Sequence, residues 1–186
     1  MCSIFCITEK DIDCPRVRES FYKTVSRGPD MSEITELPTG YMGFHRLAIM
    51  GLTAEGMQPF ARGKDFLICN GEIYGFRPLK RSLEEKGYRF SSDSDCEILL
   101  PLYREYGVKM FKMLDAEFAL VLYDGEQNKY IAARDPIGIR PLYFGYTEHQ
   151  AIVFASEPKN LVGIVKDIFP FPPGCYYEDG AFICYS

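Results

Sequence analysis

The sequence is poor in the residues that build metal sites and nucleic-acid surfaces. It has only two histidines, His45 and His149, and none of its seven cysteines falls in a Cys-x-x-Cys pair. Zinc sites are built from these residue types at short spacings, so we expect no metal in this chain. Lys and Arg form no cluster and the net charge is −5, which is unfavourable for contact with a phosphate backbone. We therefore expect no nucleic acid among the partners.

The sequence also lacks a long apolar run. The longest, Phe118 to Tyr123, is far shorter than the roughly 20 residues that a membrane-spanning helix needs. The amino terminus has no basic segment followed by an apolar core, so we expect neither membrane attachment nor export. An odd number of cysteines at irregular spacings fits free thiols in a reducing compartment better than a disulfide framework. These absences predict a cytoplasmic protein that acts on a small molecule.

What is present is a globular composition. Of the 186 residues 47% are hydrophobic and 25% are charged, which is typical of one folded domain or of one arm of a larger protein. Alternating and short apolar runs predict a strand-rich α+β fold. The predicted strands are 2–8, 40–50, 66–69, 117–124, 129–134, 151–155, 175–178 and 182–185, and the predicted helices are 16–24, 76–86, 97–106 and 156–161.

The second residue, Cys2, is a candidate nucleophile. If Met1 is removed, the free α-amine of Cys2 lies two bonds from its side chain and can take the thiol proton. A thiol attacks only as the thiolate, and its ordinary pKa of about 8.5 leaves it mostly protonated at neutral pH. The alternative is that Cys2 is an ordinary small buried residue at the start of a strand.

Two further stretches carry polar groups in apolar surroundings. Arg46 lies within a predicted strand, where a guanidinium needs a carboxylate partner, either a ligand or a structural salt bridge. Asn70-Gly71 follows an apolar strand, and a tight turn there would present a backbone N–H beside a side-chain amide, as an oxyanion requires. An ordinary hairpin turn explains the same dipeptide.

Asp95 lies in a serine-rich segment that precedes a predicted helix. Ser94 and Glu97 have the spacing of a capping box, which places Asp95 in the first helical turn. There its carboxylate has a simple structural explanation, a favourable interaction with the helix dipole.

Taken together, seven motifs in order along the chain resemble the glutaminase domain of glutamine-hydrolysing asparagine synthetase, a class II amidotransferase with an amino-terminal nucleophile. They are Met1-Cys2-Ser3-Ile4-Phe5, Arg27-Gly28-Pro29-Asp30, Arg46-Leu47-Ala48-Ile49, Asn70-Gly71-Glu72-Ile73-Tyr74, Ser94-Asp95-Cys96-Glu97, Arg134-Asp135 with Gly138 and Pro141-Leu142-Tyr143, and Ala155-Ser156-Glu157.

The resemblance implies a four-layer αββα sandwich, two antiparallel sheets packed between helices, over residues 1–186. It implies hydrolysis of the glutamine side-chain amide by Cys2, with Asn70 and the Gly71 N–H holding the oxyanion. Arg46 would bind the α-carboxylate of glutamine and Asp95 its α-ammonium. The residues implied to line the same pocket are Leu47, Ile49, Met50 and Glu72.

The resemblance also indicates what this sequence lacks. Asparagine synthetases continue into an ATP-dependent domain with a Ser-Gly-Gly-x-Asp-Ser loop, which does not occur here. We therefore expect ATP and magnesium to belong to a synthetase domain or subunit that receives the ammonia, and no cofactor in this chain. The alternatives are an amidotransferase that serves another acceptor and a non-catalytic interaction module with the same fold.

Overall fold

A computed structural model describes all residues from Met1 to Ser186. The strands are β1 (Ser3–Ile7), β2 (Met31–Leu37), β3 (Gly40–Arg46), β4 (Phe60–Arg62), β5 (Asp65–Ile73), β6 (Ala116–Asp124), β7 (Lys129–Arg134), β8 (Tyr143–Tyr146), β9 (Ile152–Ala155), β10 (Phe169–Pro170), β11 (Cys175–Glu178) and β12 (Ala181–Cys184). The helices are α1 (Cys14–Tyr22), α2 (Phe76–Glu85) and α3 (Leu99–Tyr106), and short 3₁₀ turns include Val25–Arg27 and Asp95–Ile98.

The strands form two six-stranded sheets in which every pairing is antiparallel. The first has the order β10-β8-β9-β1-β3-β2, and the second has the order β12-β11-β7-β6-β5-β4. In the first sheet β1 is central, between β9 and β3. In the second, β5 pairs with β6 from Phe66 to Ile73 but with β4 only up to Leu67. Residues 68–73 of β5 therefore have no neighbouring strand on the β4 side, and we call this side the free edge of β5.

Three apolar clusters separate four layers. One lies between the sheets, where Ile4 and Phe44 of the first sheet meet Ile68 and Val121 of the second. Another packs the opposite face of the second sheet against α2 and α3, and a third packs the first sheet against α1. Because successive residues of a strand face opposite ways, each sheet supplies side chains to two clusters. The predicted αββα sandwich is confirmed.

The turn predicted at Asn70-Gly71 is wrong. Strand β5 continues through both residues, which lie opposite Ala119 and Phe118 of β6. The dipeptide favours a turn locally, but nine consecutive residues of β6 offer a partner strand, and pairing along that strand overrides the local preference. Both interpretations of the dipeptide, as a hairpin turn and as a turn that exposes an oxyanion donor, are therefore corrected. Whether the pair can act as donors depends on the strand edge instead.

The cysteines also differ from expectation. Cys175 and Cys184 form a disulfide between β11 and β12, where the two residues lie directly opposite each other. The expectation of free thiols throughout the chain is thus wrong for this pair, because antiparallel pairing brings their side chains together. Cys14 and Cys184 are exposed. The cysteines that remain free are Cys2, Cys6, Cys14, Cys69 and Cys96.

The helices of the chain are short. The longest, α2, has 10 residues and ends before Gly87, whose φ of +95° suits a residue that follows a helix carboxyl terminus. No helix has the length and apolar character that crossing a membrane requires.

Candidate active site

A cavity of about 70 Å³ lies where the amino-terminal end of β1 meets the free edge of β5. We call it the site cavity. Its lining includes every candidate site residue predicted from the sequence, which are Cys2, Arg46, Leu47, Ile49, Met50, Asn70, Gly71, Glu72 and Asp95. These residues come from four separate segments of the chain, so the fold brings together groups that are far apart in sequence.

The backbone around Cys2 is fixed by hydrogen bonds from two other segments. The Ile4 N–H donates to Ser156 Oγ at 2.9 Å, and the Ser156 N–H donates to the Ile4 carbonyl at 3.0 Å. Arg27 donates from Nε to the Cys2 carbonyl at 3.1 Å and pairs with Glu157 at 3.0 Å. The position of Cys2 is therefore set by the central strand and by one ion pair.

The Cys2 sulfur lies against the backbone of Leu47, with Sγ 3.4 Å from its nitrogen and 3.5 Å from its carbonyl oxygen. Burial raises the pKa of the Cys2 thiol, and the Leu47 N–H partly opposes that rise by favouring the thiolate. The thiol thus needs a base to ionise near neutral pH. Met1, which precedes it, is 51% exposed.

The free edge of β5 has a regular pattern of backbone bonds. The Cys69 N–H donates to Gln58 Oε1 at 2.6 Å, and the Ile73 N–H donates to Asp95 Oδ2 at 2.6 Å. Because N–H groups alternate in direction along a strand, Gly71, midway between them, directs its N–H to the same edge. Neither Gln58 nor Asp95 bonds that N–H, so it faces the site cavity.

Asn70 supplies a second unpaired donor beside Gly71. Its side chain is buried at 2% exposure, and its Nδ2 has no hydrogen-bond partner. A buried amide without a partner costs roughly 1–3 kcal/mol, so such groups are rare in ordinary cores. The strand edge therefore offers two adjacent free donors, although not through the turn that the sequence suggested.

Arg46 has no carboxylate partner within the chain. Its guanidinium donates to the Thr53 carbonyl at 2.8 Å and to the carbonyls of Gly51 and Met50, the latter at 3.5 Å. No salt bridge involves it, although the residue is only 4% exposed. The structural salt bridge considered from the sequence is thus absent, and the cavity wall carries an uncompensated positive charge.

Asp95 begins the 3₁₀ turn Asp95–Ile98 and has no basic partner. Burial raises the pKa of its carboxyl group, while the N–H groups of Ile73 and Cys96 oppose the rise. The predicted capping box is wrong, because the Ser94 side chain makes no capping bond. Glu97 instead accepts bonds from the N–H and hydroxyl groups of Ser91 and Ser92.

The remaining predicted residues form the rim of the site cavity. Strand β3 ends at Arg46, so Leu47, Ile49 and Met50 lie on the following loop rather than in the predicted strand. Ile49 is 70% exposed and Glu72 is also exposed. The cavity thus combines a thiol and two free donors with opposite charges on its wall, an arrangement suited to an amino acid that carries a second carbonyl.

A sequence model of the glutamine amidotransferase domain family matches residues 1–169. The chain belongs to this family. The match covers nine-tenths of the sequence and includes all residues of the site cavity.

Curated relatives of this glutamine amidotransferase domain are described as glutamine-hydrolysing asparagine synthetases. Asparagine synthetase B of Escherichia coli (strain K12) is 37% identical over 193 residues, which cover 100% of this chain and 34% of that protein. A probable asparagine synthetase of Schizosaccharomyces pombe is 40% identical over 186 residues, covering 96% and 33%. The chain therefore spans about a third of the length of these relatives.

Solved structures share the fold. Glutamine phosphoribosylpyrophosphate amidotransferase from B. subtilis superimposes with a TM-score of 0.82 at 22% identity, over 98% of this chain and 48% of that one. A glutamine aminotransferase class-II domain protein from Silicibacter pomeroyi gives a TM-score of 0.56 at 15% identity, over 100% and 99%.

Two residues of the site cavity were missed in the sequence. Arg140 lines the site cavity, pairs with Glu117 at 2.6 Å, and leaves its buried Nε without a partner. Its charge also opposes the rise in the pKa of Cys2. The argument that singled out Arg46 in the sequence applies to Arg140 as well, since it too is a cation among apolar neighbours. Gln58, which binds both backbone groups of Cys69, gives no signal in the sequence.

Proposed function

We propose that this domain hydrolyses the side-chain amide of L-glutamine to glutamate and ammonia, with Cys2 as the nucleophile. The observation that carries the proposal is the pair of unpaired donors, Asn70 Nδ2 and the Gly71 N–H, at the edge of the cavity that holds the Cys2 sulfur. Paired donors of this kind stabilise the oxyanion of acyl transfer and are costly to keep in a site without that task.

In the proposed mechanism, removal of Met1 first frees the α-amine of Cys2. The amine then acts as a base and takes the thiol proton. A base is needed because burial raises the pKa of the Cys2 thiol. Sγ then forms a bond to the amide carbon, and the carbonyl electron pair moves to the oxygen, which accepts bonds from Asn70 and Gly71. The electron pair on the oxyanion re-forms the carbonyl as the C–N bond breaks, and the Cys2 ammonium gives its proton to the leaving amide nitrogen, which departs as ammonia. Water hydrolyses the resulting thioester to glutamate and restores the thiol.

The charged walls of the cavity match the two ends of an amino acid. The planar guanidinium of Arg46 can grip the α-carboxylate by two bonds, and the Asp95 carboxylate can accept from the α-ammonium. Neither group has a counter-ion in the chain. Leu47, Ile49, Met50 and Glu72 complete the rim around the substrate.

The ammonia would be used by an ATP-dependent synthetase portion for asparagine synthesis, in the cytoplasm. The descriptions of the E. coli and S. pombe relatives support this acceptor, and the chain corresponds to about a third of each. In this proposal residues 1–186 form the glutaminase domain, and ATP and magnesium act in the synthetase portion.

Intact mass before and after incubation with a glutamine-mimicking diazoketone tests the proposal, together with ammonia release from glutamine. We expect loss of Met1, one adduct on Cys2, and no ammonia from the Cys2→Ala variant. Cys14→Ser is the matched control, since it removes an exposed thiol outside the cavity and should leave labelling and activity unchanged. Full ammonia release by Cys2→Ala would overturn the proposal.

A further inference from the structure

A second cavity lies at the other end of β1 and shares no residue with the site cavity. Its volume is about 730 Å³. Among its lining residues are Glu9, Asp11 and His149, whose ligand atoms all lie within 4.8 Å of one another. Imidazole and carboxylate groups at this separation are potential ligands for a metal ion.

Strand pairing holds Glu9 and His149 side by side. Thr8, which follows β1, donates from its N–H and its hydroxyl to the Ile152 carbonyl at the start of β9, at 3.2 and 2.9 Å. His149 lies in the turn between β8 and β9, which is closed by a bond from the Gln150 N–H to the Thr147 carbonyl at 3.0 Å. The resulting distance from His149 Nδ1 to Glu9 Oε2 is 3.1 Å. Ligand atoms that share a cation at about 2.0–2.2 Å are separated by roughly this distance.

The Glu9 carboxylate lacks a full set of partners. Its side chain is only 10% exposed, and its second oxygen, Oε1, is buried without a hydrogen bond. A buried carboxylate oxygen without a donor or cation is costly. The cavity increases that cost, because it has five carboxylates against one arginine and one lysine. A bound cation would neutralise both effects.

We propose that Glu9, Asp11 and His149 bind a divalent first-row transition cation such as Mn²⁺. Two carboxylates favour a hard divalent ion, and one imidazole favours a transition metal over Mg²⁺. The site departs from our expectation from the sequence, because His149 is 140 residues from Glu9 and no short ligand spacing marks it. The cation would join the β1–α1 connection to the β8–β9 turn.

Titration of the metal-free chain of residues 1–186 with Mn²⁺ tests the proposal, and binding is monitored by calorimetry and by loss of the free Mn²⁺ resonance signal. Mn²⁺ is chosen because thiolates are poor ligands for it, so the free cysteines do not interfere. We expect one saturable site, at least about tenfold weaker binding in Glu9→Gln and in His149→Gln, and at least about tenfold weaker binding of Mg²⁺ to the unaltered protein.

Glu148→Gln is the matched control. Like Glu9→Gln, it removes one carboxylate charge from the lining of this cavity, and like His149 it lies in the β8–β9 turn. Glu148 is not one of the three clustered residues, however. Its affinity for Mn²⁺ should stay within about twofold of the unaltered protein, and thermal unfolding without metal would verify that each variant is folded. His149 is 61% exposed, so its variant should fold even if the Glu9 variant does not. Absence of saturable binding, equal weakening in all three variants, or equal affinity for Mg²⁺ would overturn the proposal.

Discussion

Three polar groups of the site cavity are buried without the partners that an ordinary core would give them. Asn70 has a free Nδ2, while Arg46 and Asp95 have no counter-ion. A buried donor without a partner, or a buried charge without a counter-ion, is costly to the fold. In the proposed function, each of the three groups would be satisfied by one part of a bound glutamine. Residues of this kind are where activity and stability conflict, so replacing them should affect the two in opposite directions.

Replacing Asn70 by Ala or Asp should lower kcat for glutamine hydrolysis about 10²- to 10³-fold with little change in KM, because a donor to the oxyanion is lost. The free energy of unfolding of Asn70→Ala should not fall by the loss of a hydrogen bond at Nδ2, since that nitrogen makes none. Steady-state ammonia release and chemical denaturation measure the two effects. A kcat within tenfold of the unaltered domain for both variants would contradict the oxyanion role.

Replacing Asp95 by Asn should raise KM for glutamine about tenfold to a hundredfold, since a charged hydrogen-bond acceptor for the α-ammonium is lost. Burial raises the pKa of Asp95, so the folded chain keeps this proton to a higher pH than the unfolded chain does. The charged carboxylate therefore lowers the free energy of unfolding progressively as pH rises from about 4 through the raised pKa.

The Asp95→Asn variant should then be more stable than the unaltered domain at neutral pH, with the difference shrinking to nothing at acid pH. Denaturation curves at several pH values measure that difference. A variant that is less stable at neutral pH, or a difference that does not depend on pH, would contradict the raised pKa as its cause.

At the scale of elements, the free edge of β5 decides whether the strand can serve the site. Strand β4 covers β5 only up to Leu67, and beyond it the edge is held by Gln58 and Asp95. Gln58 replaces a neighbouring strand, because its side-chain amide makes both the bonds that such a strand would make to Cys69.

Replacing Gln58 by Ala should lower the free energy of unfolding by about 1–3 kcal/mol, since two buried backbone groups of Cys69 lose their partners. It should also speed hydrogen exchange at the Cys69 amide. Gln127→Ala is a suitable control, because this glutamine is exposed in the β6–β7 turn. An equally small effect of both substitutions would show that the edge does not depend on Gln58.

Elements were predictable from the sequence where local pattern and tertiary pairing agree. Strands β1 and β7 and helix α2 lie within a residue or two of their predicted bounds, because the pattern of apolar residues marks them. The pairing of strands with one another left no such mark, whether the paired segments are distant or adjacent in the sequence. It turned Asn70-Gly71 into strand and joined Cys175 to Cys184.

At the scale of the whole molecule, the site cavity is lined by residues from several segments of this one chain. Every group that the proposed mechanism uses, from Cys2 to Asp95, comes from this chain. We therefore expect the processed domain alone to release ammonia from L-glutamine without ATP or aspartate. A glutamine analogue without the α-carboxylate is the control and should react poorly, because Arg46 would have nothing to bind. Release that appears only after an ATP-dependent synthetase portion is added would contradict this expectation.

The association of the candidate residues could be predicted from the ordered motifs, but their contacts could not. Sequence reasoning predicted that Arg46 would need a carboxylate, whereas the fold gives it backbone carbonyls of the 50–53 loop. Loop conformation depends on the closure of the entire chain around the cavity. For the same reason the pairing of Arg140 with Glu117 had no local signature.

Because β1 is paired on both sides, its register decides whether Cys2 reaches its place in the site cavity. Phe5 lies opposite Gly43 on one side and Ala155 on the other, with Cys2 three residues earlier. A slip of one residue would turn every side chain of β1 to the opposite face and move the sulfur by about 3.3 Å. A chain with this register error would thus be inactive. Titration of the active sites in a refolded sample would therefore give the number of molecules in which β1 has the correct register.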